Sequence, residues 1–331
     1  MPDVENTFLR SELVARRQRL QSALAAAPAE TELTRLLAEV DAALDRMNAG
    51  NFGLCEVCQD PIEPERLVAD PLVRYCLDHL SHGERTALQQ DLELAMQIQS
   101  SLLPPKDFTA GGWEVAYHYQ PKGAVSGDYC DVIPSRGGPD RFVFLVGDVA
   151  GKGIAASLLM SHLHAIFRSL VSVGLPVADA MERANRVFCE STLSSHYATL
   201  ICGLAGPHGE MELCSAGHCP PLRAAGEKVE PLQVSGLPLG LFCSSSYPVE
   251  RLHQQPGDVL LLYTDGLTEA ADRSGREYGM ERVKDALAGA AGQSAARVVA
   301  SVLAGLRAFV QVAPLADDLM ILAIRRLGEV V

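Results

Sequence analysis

The sequence has no run of basic residues. Its 28 Lys and Arg are outnumbered by 41 Asp and Glu, for a formal net charge of −13. That balance excludes a nucleic-acid binder working by bulk charge, because such binding rests on Lys and Arg neutralising phosphates. No uninterrupted apolar stretch approaches the ~20 residues a helix needs to cross a membrane. The start, Met1-Pro2-Asp3-Val4-Glu5, lacks the basic and then apolar order of a signal peptide. A cytoplasmic protein with neither a membrane nor a nucleic acid as partner is expected. No internal repeat and no low-complexity tract is present beyond a few alanines.

A length of 331 residues favours two domains, and a hydrophobic content of 48% supports well-formed cores. Leu9, Leu13, Leu20 and Leu24, then Leu33, Leu36, Leu37, Val40 and Leu44, recur at helical spacing on either side of Ala25-Ala26-Ala27-Pro28. They predict a helical hairpin over 8–48. A helix over 84–103 carries one seam of Leu88, Leu92, Ala95, Met96, Gln99, Leu102 and Leu103 and a second apolar edge of Leu94 and Ile98, and Pro104-Pro105 ends it. Two apolar edges call for two partners, so this linker is expected to pair with its twin in a homodimer. Beyond residue 113, apolar β-rich segments at 142–146, 197–204, 211–215, 259–263 and 319–324 are interrupted by helical stretches at 154–172, 176–193, 279–291 and 294–311. This is an α+β pattern.

Of nine cysteines, six (Cys130, Cys189, Cys202, Cys214, Cys219 and Cys243) are scattered through apolar segments and are expected to be small buried hydrophobes without chemistry. The other three cluster. Cys55-Glu56-Val57-Cys58 precedes Cys76-Leu77-Asp78-His79, two knuckles that each offer two ligands. Cys55, Cys58, Cys76 and His79 would close a tetrahedron around one structural Zn²⁺, with His82 as the alternative fourth ligand. The segment 49–80 is too short and irregular for its own core and needs such a staple.

Asp128, Asp148, Asp265 and Asp317 each stand at a loop position beside an apolar strand, three of them with adjacent glycines. Carboxylates gathered at strand ends repel one another unless a cation is present, and oxygen-only donors suit Mg²⁺ or Mn²⁺. Gly147 to Gly153 is not a phosphate-binding P-loop, because only three residues separate Gly147 from Gly151-Lys152 and no Ser or Thr follows the lysine.

Two resemblances add to this reading. Asn51-Phe52-Gly53-Leu54-Cys55-Glu56-Val57-Cys58, Ile62 and Arg66-Leu67-Val68-Ala69-Asp70-Pro71 resemble the zinc finger of the DksA/TraR family over about 45–80. That family acts on RNA polymerase through acidic residues at the tip of a long hairpin. Here the hairpin is short and its turn, Ala26 to Glu30, has no paired-Asp tip, so the module is expected to sense or dock. Ser126-Gly127-Asp128-x-x-Asp131, Gly147-Asp148-Val149-Ala150-Gly151-Lys152-Gly153, Ser215-Ala216-Gly217-His218, Tyr263-Thr264-Asp265-Gly266 and Asp317-Asp318 are similar, in that order, to the SpoIIE/RsbU branch of the PPM phosphatases, over about 91–326. This resemblance implies a PPM-type α-β-β-α sandwich of two antiparallel sheets with two Mn²⁺ or Mg²⁺ ions at one edge. It implies a protein serine/threonine phosphatase acting on a phosphorylated, anti-sigma antagonist-like regulatory protein, under control of the zinc-finger module. Asp148 would bridge the ions, the Val149 carbonyl would complete one, Asp265 and Asp317 would hold the other, and Asp128 would bind directly or through water. Asp131 and Asp318 would support these from outside the ligand set, and His218 would shape its loop. The domains implied are 1–83, a linker helix over 84–105, and 106–331. Two other readings are a zinc-finger transcription regulator and a binding module with a degenerate phosphatase domain. The missing acidic tip opposes the first and the intact aspartates oppose the second.

Overall fold

In the computed structural model, residues 3–26, 31–80, 82–138, 140–192, 196–226, 228–311 and 315–328 are described. The chain divides into two compact units, Met1–Asp91 and Leu92–Val331. The division falls inside a helix.

The N-terminal unit contains α1 (Asp3–Ala26), α2 (Thr31–Asn48) and α3 (Pro64–Ala69). The predicted hairpin helices form. The turn 27–30, read in the sequence as lacking an acidic tip, lies outside the described residues. Leu13, Val40, Ala43 and Leu44 make one small core. Leu9, Ile62 and Leu67 make a second around Cys55 and Cys76. Two cores this small supply little burial energy, which fits a module stapled by metal. The helix α4 (His82–Leu102) follows.

The C-terminal unit is an α-β-β-α sandwich. Its strands are β1 (Asp107–Ala110), β2 (Trp113–Gln120), β3 (Asp128–Pro134), β4 (Phe142–Val149), β5 (Ala198–Ala205), β6 (Glu210–Ala216), β7 (Leu222–Ala225), β8 (Lys228–Pro231), β9 (Glu250–His253), β10 (Val259–Tyr263) and β11 (Leu319–Arg326). Its helices are α5 (Gly153–Ser172), α6 (Val177–Ser191), α7 (Asp265–Thr268), α8 (Gly279–Ala288) and α9 (Ala295–Val310). One sheet runs β1-β2-β11-β10-β7-β8 and the other β3-β4-β5-β6-β9, with every pairing antiparallel.

Alternation along the strands sorts side chains into three layers. Phe142, Phe144 and Val146 of β4, Leu260 and Leu262 of β10, and Met320, Leu322 and Ile324 of β11 fill the space between the sheets. The opposite faces carry Val143 and Leu145 against α5 and α6, and Leu261 and Tyr263 against α8 and α9. Helix α5 is long and apolar enough to cross a membrane by length and composition alone. Its Met160, Leu163 and Phe167 are instead part of this core.

The six scattered cysteines divide. Cys130, Cys202 and Cys214 are buried free thiols and Cys219 is partly buried. Cys189 and Cys243 correct the expectation, because they form a disulfide with Cα atoms 5.7 Å apart, inside the range a disulfide requires. Asn185 of α6 brings the two segments together. Its Nδ2 donates to the Phe242 carbonyl at 2.7 Å and its Oδ1 accepts from Gly240 N at 2.9 Å.

At Gly203 in β5, a Cβ would lie 2.2 Å from Phe144 Cζ and 2.7 Å from Leu213 Cδ2. Gly203→Ala is expected to destabilise the C-terminal unit by about 1–3 kcal/mol through overpacking, measured as a lower urea midpoint at unchanged m-value.

Candidate functional site

The alternation that builds the inner core also decides what stands at its rim. In β3, Cys130 and Val132 point between the sheets, so Asp128, two residues before Cys130, points the same way. In β4, Asp148 continues the inward series of Phe144 and Val146, and Asp128 and Asp148 are direct cross-strand partners. From the other sheet, Thr264 follows β10 in the inward series of Leu260 and Leu262. Its Oγ1 donates to Asp128 Oδ2 at 2.8 Å. Asp265 opens α7, and Asp317 and Asp318 lead directly into β11. The two sheets therefore deliver carboxylates to one shared edge. Asp128 and Asp148 are strand residues, not the loop residues that the sequence predicts.

Close backbone approach holds this edge together. A Cβ on Gly127 would lie 2.8 Å from the Val149 carbonyl oxygen and 3.4 Å from Asp148 Oδ1. A Cβ on Gly266 would lie 1.8 Å from the Asp318 carbonyl oxygen. Both glycines keep a cradle open that any other residue would fill. Asp318 pins the approach by accepting from Lys122 N at 2.7 Å and Gly127 N at 3.1 Å. Gln99 of α4, almost fully buried, clamps the same loop. Its Nε2 donates to the Ser126 carbonyl at 2.7 Å and its Oε1 accepts from Ser126 N at 3.0 Å. Ser126 Oγ in turn accepts from Asp128 N at 2.9 Å.

Burial, followed by the charges of Asp265, Asp317 and Asp318, pushes the Asp148 carboxyl up to about 7. Burial and then Asp148 raise Asp128 well above the usual carboxylate range. Burial and then Asp317 raise Asp265. Such a set favours protonation unless positive charge is supplied. Lys152 provides one such charge, its Nζ donating to Asp317 Oδ2 at 2.6 Å.

Asp131 does not serve this edge, contrary to the expectation that it supports the ligand set from outside. Three residues from Asp128, it lies on the opposite face of β3, where Arg168 of α5 donates to both its carboxylate oxygens at 2.7 Å and His164 lies 3.5 Å away. The alternation of β3 would have shown this, had 128–134 been recognised as a strand. His218 is buried and its Nδ1 lies 2.8 Å from Thr199 Oγ1, a loop-building place. Thr264 is the member of the site that the sequence reading missed.

In the N-terminal unit, the donor atoms of Cys55, Cys58, Cys76 and His79 all lie within 4.8 Å of one another. Cys58 Sγ and Cys76 Sγ are 3.8 Å apart, and Cys76 Sγ and His79 Nδ1 are 3.2 Å apart. Tetrahedral zinc with Zn–S of about 2.3 Å sets its sulfurs about 3.8 Å apart, so the donor set fits that ion. The knuckles are tight turns: Gln59 N donates to the Cys55 carbonyl at 2.9 Å and His79 N to the Cys76 carbonyl at 3.0 Å. The side chain of His82, the alternative ligand, lies outside the described residues. Among the described residues, this is the one group of three or more potential ligands drawn so close.

Comparison with known proteins agrees with both regions. The family described as Stage II sporulation protein E (SpoIIE) matches residues 138–327, more than half of the chain, a span that contains Asp148, Asp265 and Asp317 and begins after Asp128. The prokaryotic dksA/traR C4-type zinc finger matches residues 50–78. His79, one residue beyond that span, stands where a C4-type site has its fourth cysteine. The chain is 25% identical to phosphoserine phosphatase RsbU of Bacillus subtilis over 211 residues, covering 62% of this chain and 62% of that protein. It spans less than two thirds of the length of the curated relatives it matches. The structure of the RsbU and RsbW domains of a Mycobacterium tuberculosis protein superposes with a TM-score of 0.58 at 29% identity, covering 68% of this chain and 62% of that one. The SiaA-PP2C domain of Pseudomonas aeruginosa superposes with a TM-score of 0.62 at 21% identity, covering 73% and 98%.

Burial lowers the His218 pKa from 6.5 to about 4. The imidazole stays neutral in the fold while the unfolded chain takes up a proton, so its contribution is present above pH 6.5 and is lost as pH falls towards 4. Denaturation at stepped pH is expected to show stability declining across that window, by up to about 1.4 kcal/mol per pH unit. His218→Gln flattens this part of the profile.

Proposed function

The chain belongs to the SpoIIE family, and from that premise we propose that it is a metal-dependent protein serine/threonine phosphatase acting on a phosphorylated regulatory protein of the anti-sigma antagonist type. The observation that carries the proposal is the shared edge at which both sheets present carboxylates with raised pKa. Oxygen-only donors suit Mn²⁺ or Mg²⁺, which keep several waters. Asp148 would serve both ions, the Val149 carbonyl would help hold one, Asp265 and Asp317 would help hold the other, and Asp128 would bind directly or through water. The open cradle at Gly127, beside both the Val149 oxygen and Asp148 Oδ1, supports this set. Two such ions, when bound, lower the pKa of water and neutralise charge on phosphoryl oxygens. The protein's own part is positioning. Thr264 orients Asp128, and Asp318 fixes the Gly127 turn.

The N-terminal 1–83 would be a zinc-stabilised control module, with 84–105 as linker and 106–331 as the phosphatase domain, in a cytoplasmic protein. Helix α4 supports such coupling. Its Gln99 clamps the loop that leads to Asp128, while Leu94 and Ile98 remain 54% and 53% exposed. An exposed apolar edge on that helix suits pairing with a second copy of the chain.

Asp148→Ala and Asp265→Ala are expected to abolish Mn²⁺-dependent release of phosphate from phosphorylated antagonist proteins of the same genome. Full activity in both variants would refute the proposal. Purified protein is expected to carry one zinc per chain by elemental analysis. Cys58→Ser should lose it, while His79→Cys, which restores a four-cysteine set, should retain it.

A further inference from the structure

We propose that Lys152 is a built-in counter-ion that competes with a divalent cation for Asp317, and so sets the metal concentration at which the site fills. This inference rests on the phosphatase reading for the identity of the site.

Both carboxylate oxygens of Asp317 are already engaged. Oδ1 accepts from Asp318 N at 3.0 Å, within its own turn, and Oδ2 accepts from Lys152 Nζ at 2.6 Å. A cation that binds Asp317 through Oδ2 must take that oxygen from the ammonium or share it against a full positive charge, and one that binds through Oδ1 still sits beside that charge. The chain brings Lys152 to this place deliberately. It sits between Gly151 at φ 113° and Gly153 at φ 71°, left-handed conformations that glycine adopts without steric cost. These two residues turn the backbone sharply from β4, which carries Asp148, into α5.

The second lysine at this edge is differently engaged. Lys122 Nζ donates to the Ala316 carbonyl at 2.5 Å, and only its backbone N–H reaches a carboxylate, that of Asp318. Lys122 is thus an internal comparison: the same charge at the same turn, without an ion pair to a proposed ligand.

The Lys152 pair is exchangeable. The lysine side chain is 63% exposed and that of Asp317 41% exposed, so solvent screens their attraction and either can leave without stranding a buried charge. Lysine also suits the task chemically. Its ammonium is a compact, strongly hydrated charge on a flexible stem, free of the bidentate geometry that locks arginine to a carboxylate.

The test is calorimetric titration of Mn²⁺ into metal-stripped full-length protein. Lys152→Gln is expected to bind Mn²⁺ about two- to fivefold tighter than wild type, the range an exposed ion pair can supply. The gap should narrow as salt rises. The Mn²⁺ concentration giving half-maximal phosphatase activity should fall in parallel. Lys122→Gln should shift affinity less. Equal or weaker Mn²⁺ binding by Lys152→Gln overturns the role of Lys152 and leaves the phosphatase reading standing. An equal shift in Lys122→Gln overturns direct competition in favour of a general field effect. Absence of Mn²⁺ binding in every chain overturns both this inference and the metal site itself.

Discussion

Carboxylates from two sheets cannot share a half-buried edge, all charged, without a positive partner. That constraint organises the C-terminal unit. The inner faces of β3, β4, β10 and β11 are filled by aromatic and branched side chains up to the last residues, where the same inward alternation delivers Asp128, Asp148 and Thr264 instead. Packing and chemistry are thus continuous. The interdigitation that holds the sheets face to face also fixes how near the carboxylates come, and burial together with mutual repulsion raises their pKa. Such a grouping favours protonation unless positive charge is supplied.

Backbone proximity tightens the constraint. Gly127 and Gly266 stand where any side chain would collide with the Val149 or Asp318 carbonyl. Asp318 and Gln99 supply the hydrogen bonds that hold the 122–128 turn. A buried glutamine satisfied on both ends is costly to disturb, since breaking the clamp strands buried backbone groups. Movement of α4 would therefore be felt at Asp128 through one short chain of bonds. The N-terminal unit answers a different problem, that of too little core, with a cysteine and histidine cluster that suits a softer ion.

Much of this was legible in the sequence. Long apolar strands such as β4, β5, β10 and β11 announce themselves by composition, and the motifs around Asp148, Asp265 and Asp317 mark the edge. What escaped did so for physical reasons. Strands as short as β7, β8 and β9 carry too few residues for a period to show. The segment β3 begins with the polar residues of the site and reads as a loop, and this hid the alternation that sends Asp131 to Arg168 on the other face. The Cys189–Cys243 pairing depends on Asn185 joining α6 to a distant loop, a contact across 54 residues that no local pattern encodes.

The most direct test is crystallographic. Crystals grown with Mn²⁺, measured at a wavelength where manganese scatters anomalously, should show two peaks at this edge, within ligand distance of Asp148 and between them in reach of the Val149 carbonyl, Asp265 and Asp317. Active protein whose anomalous peaks lie elsewhere, or that shows none, would contradict the assignment.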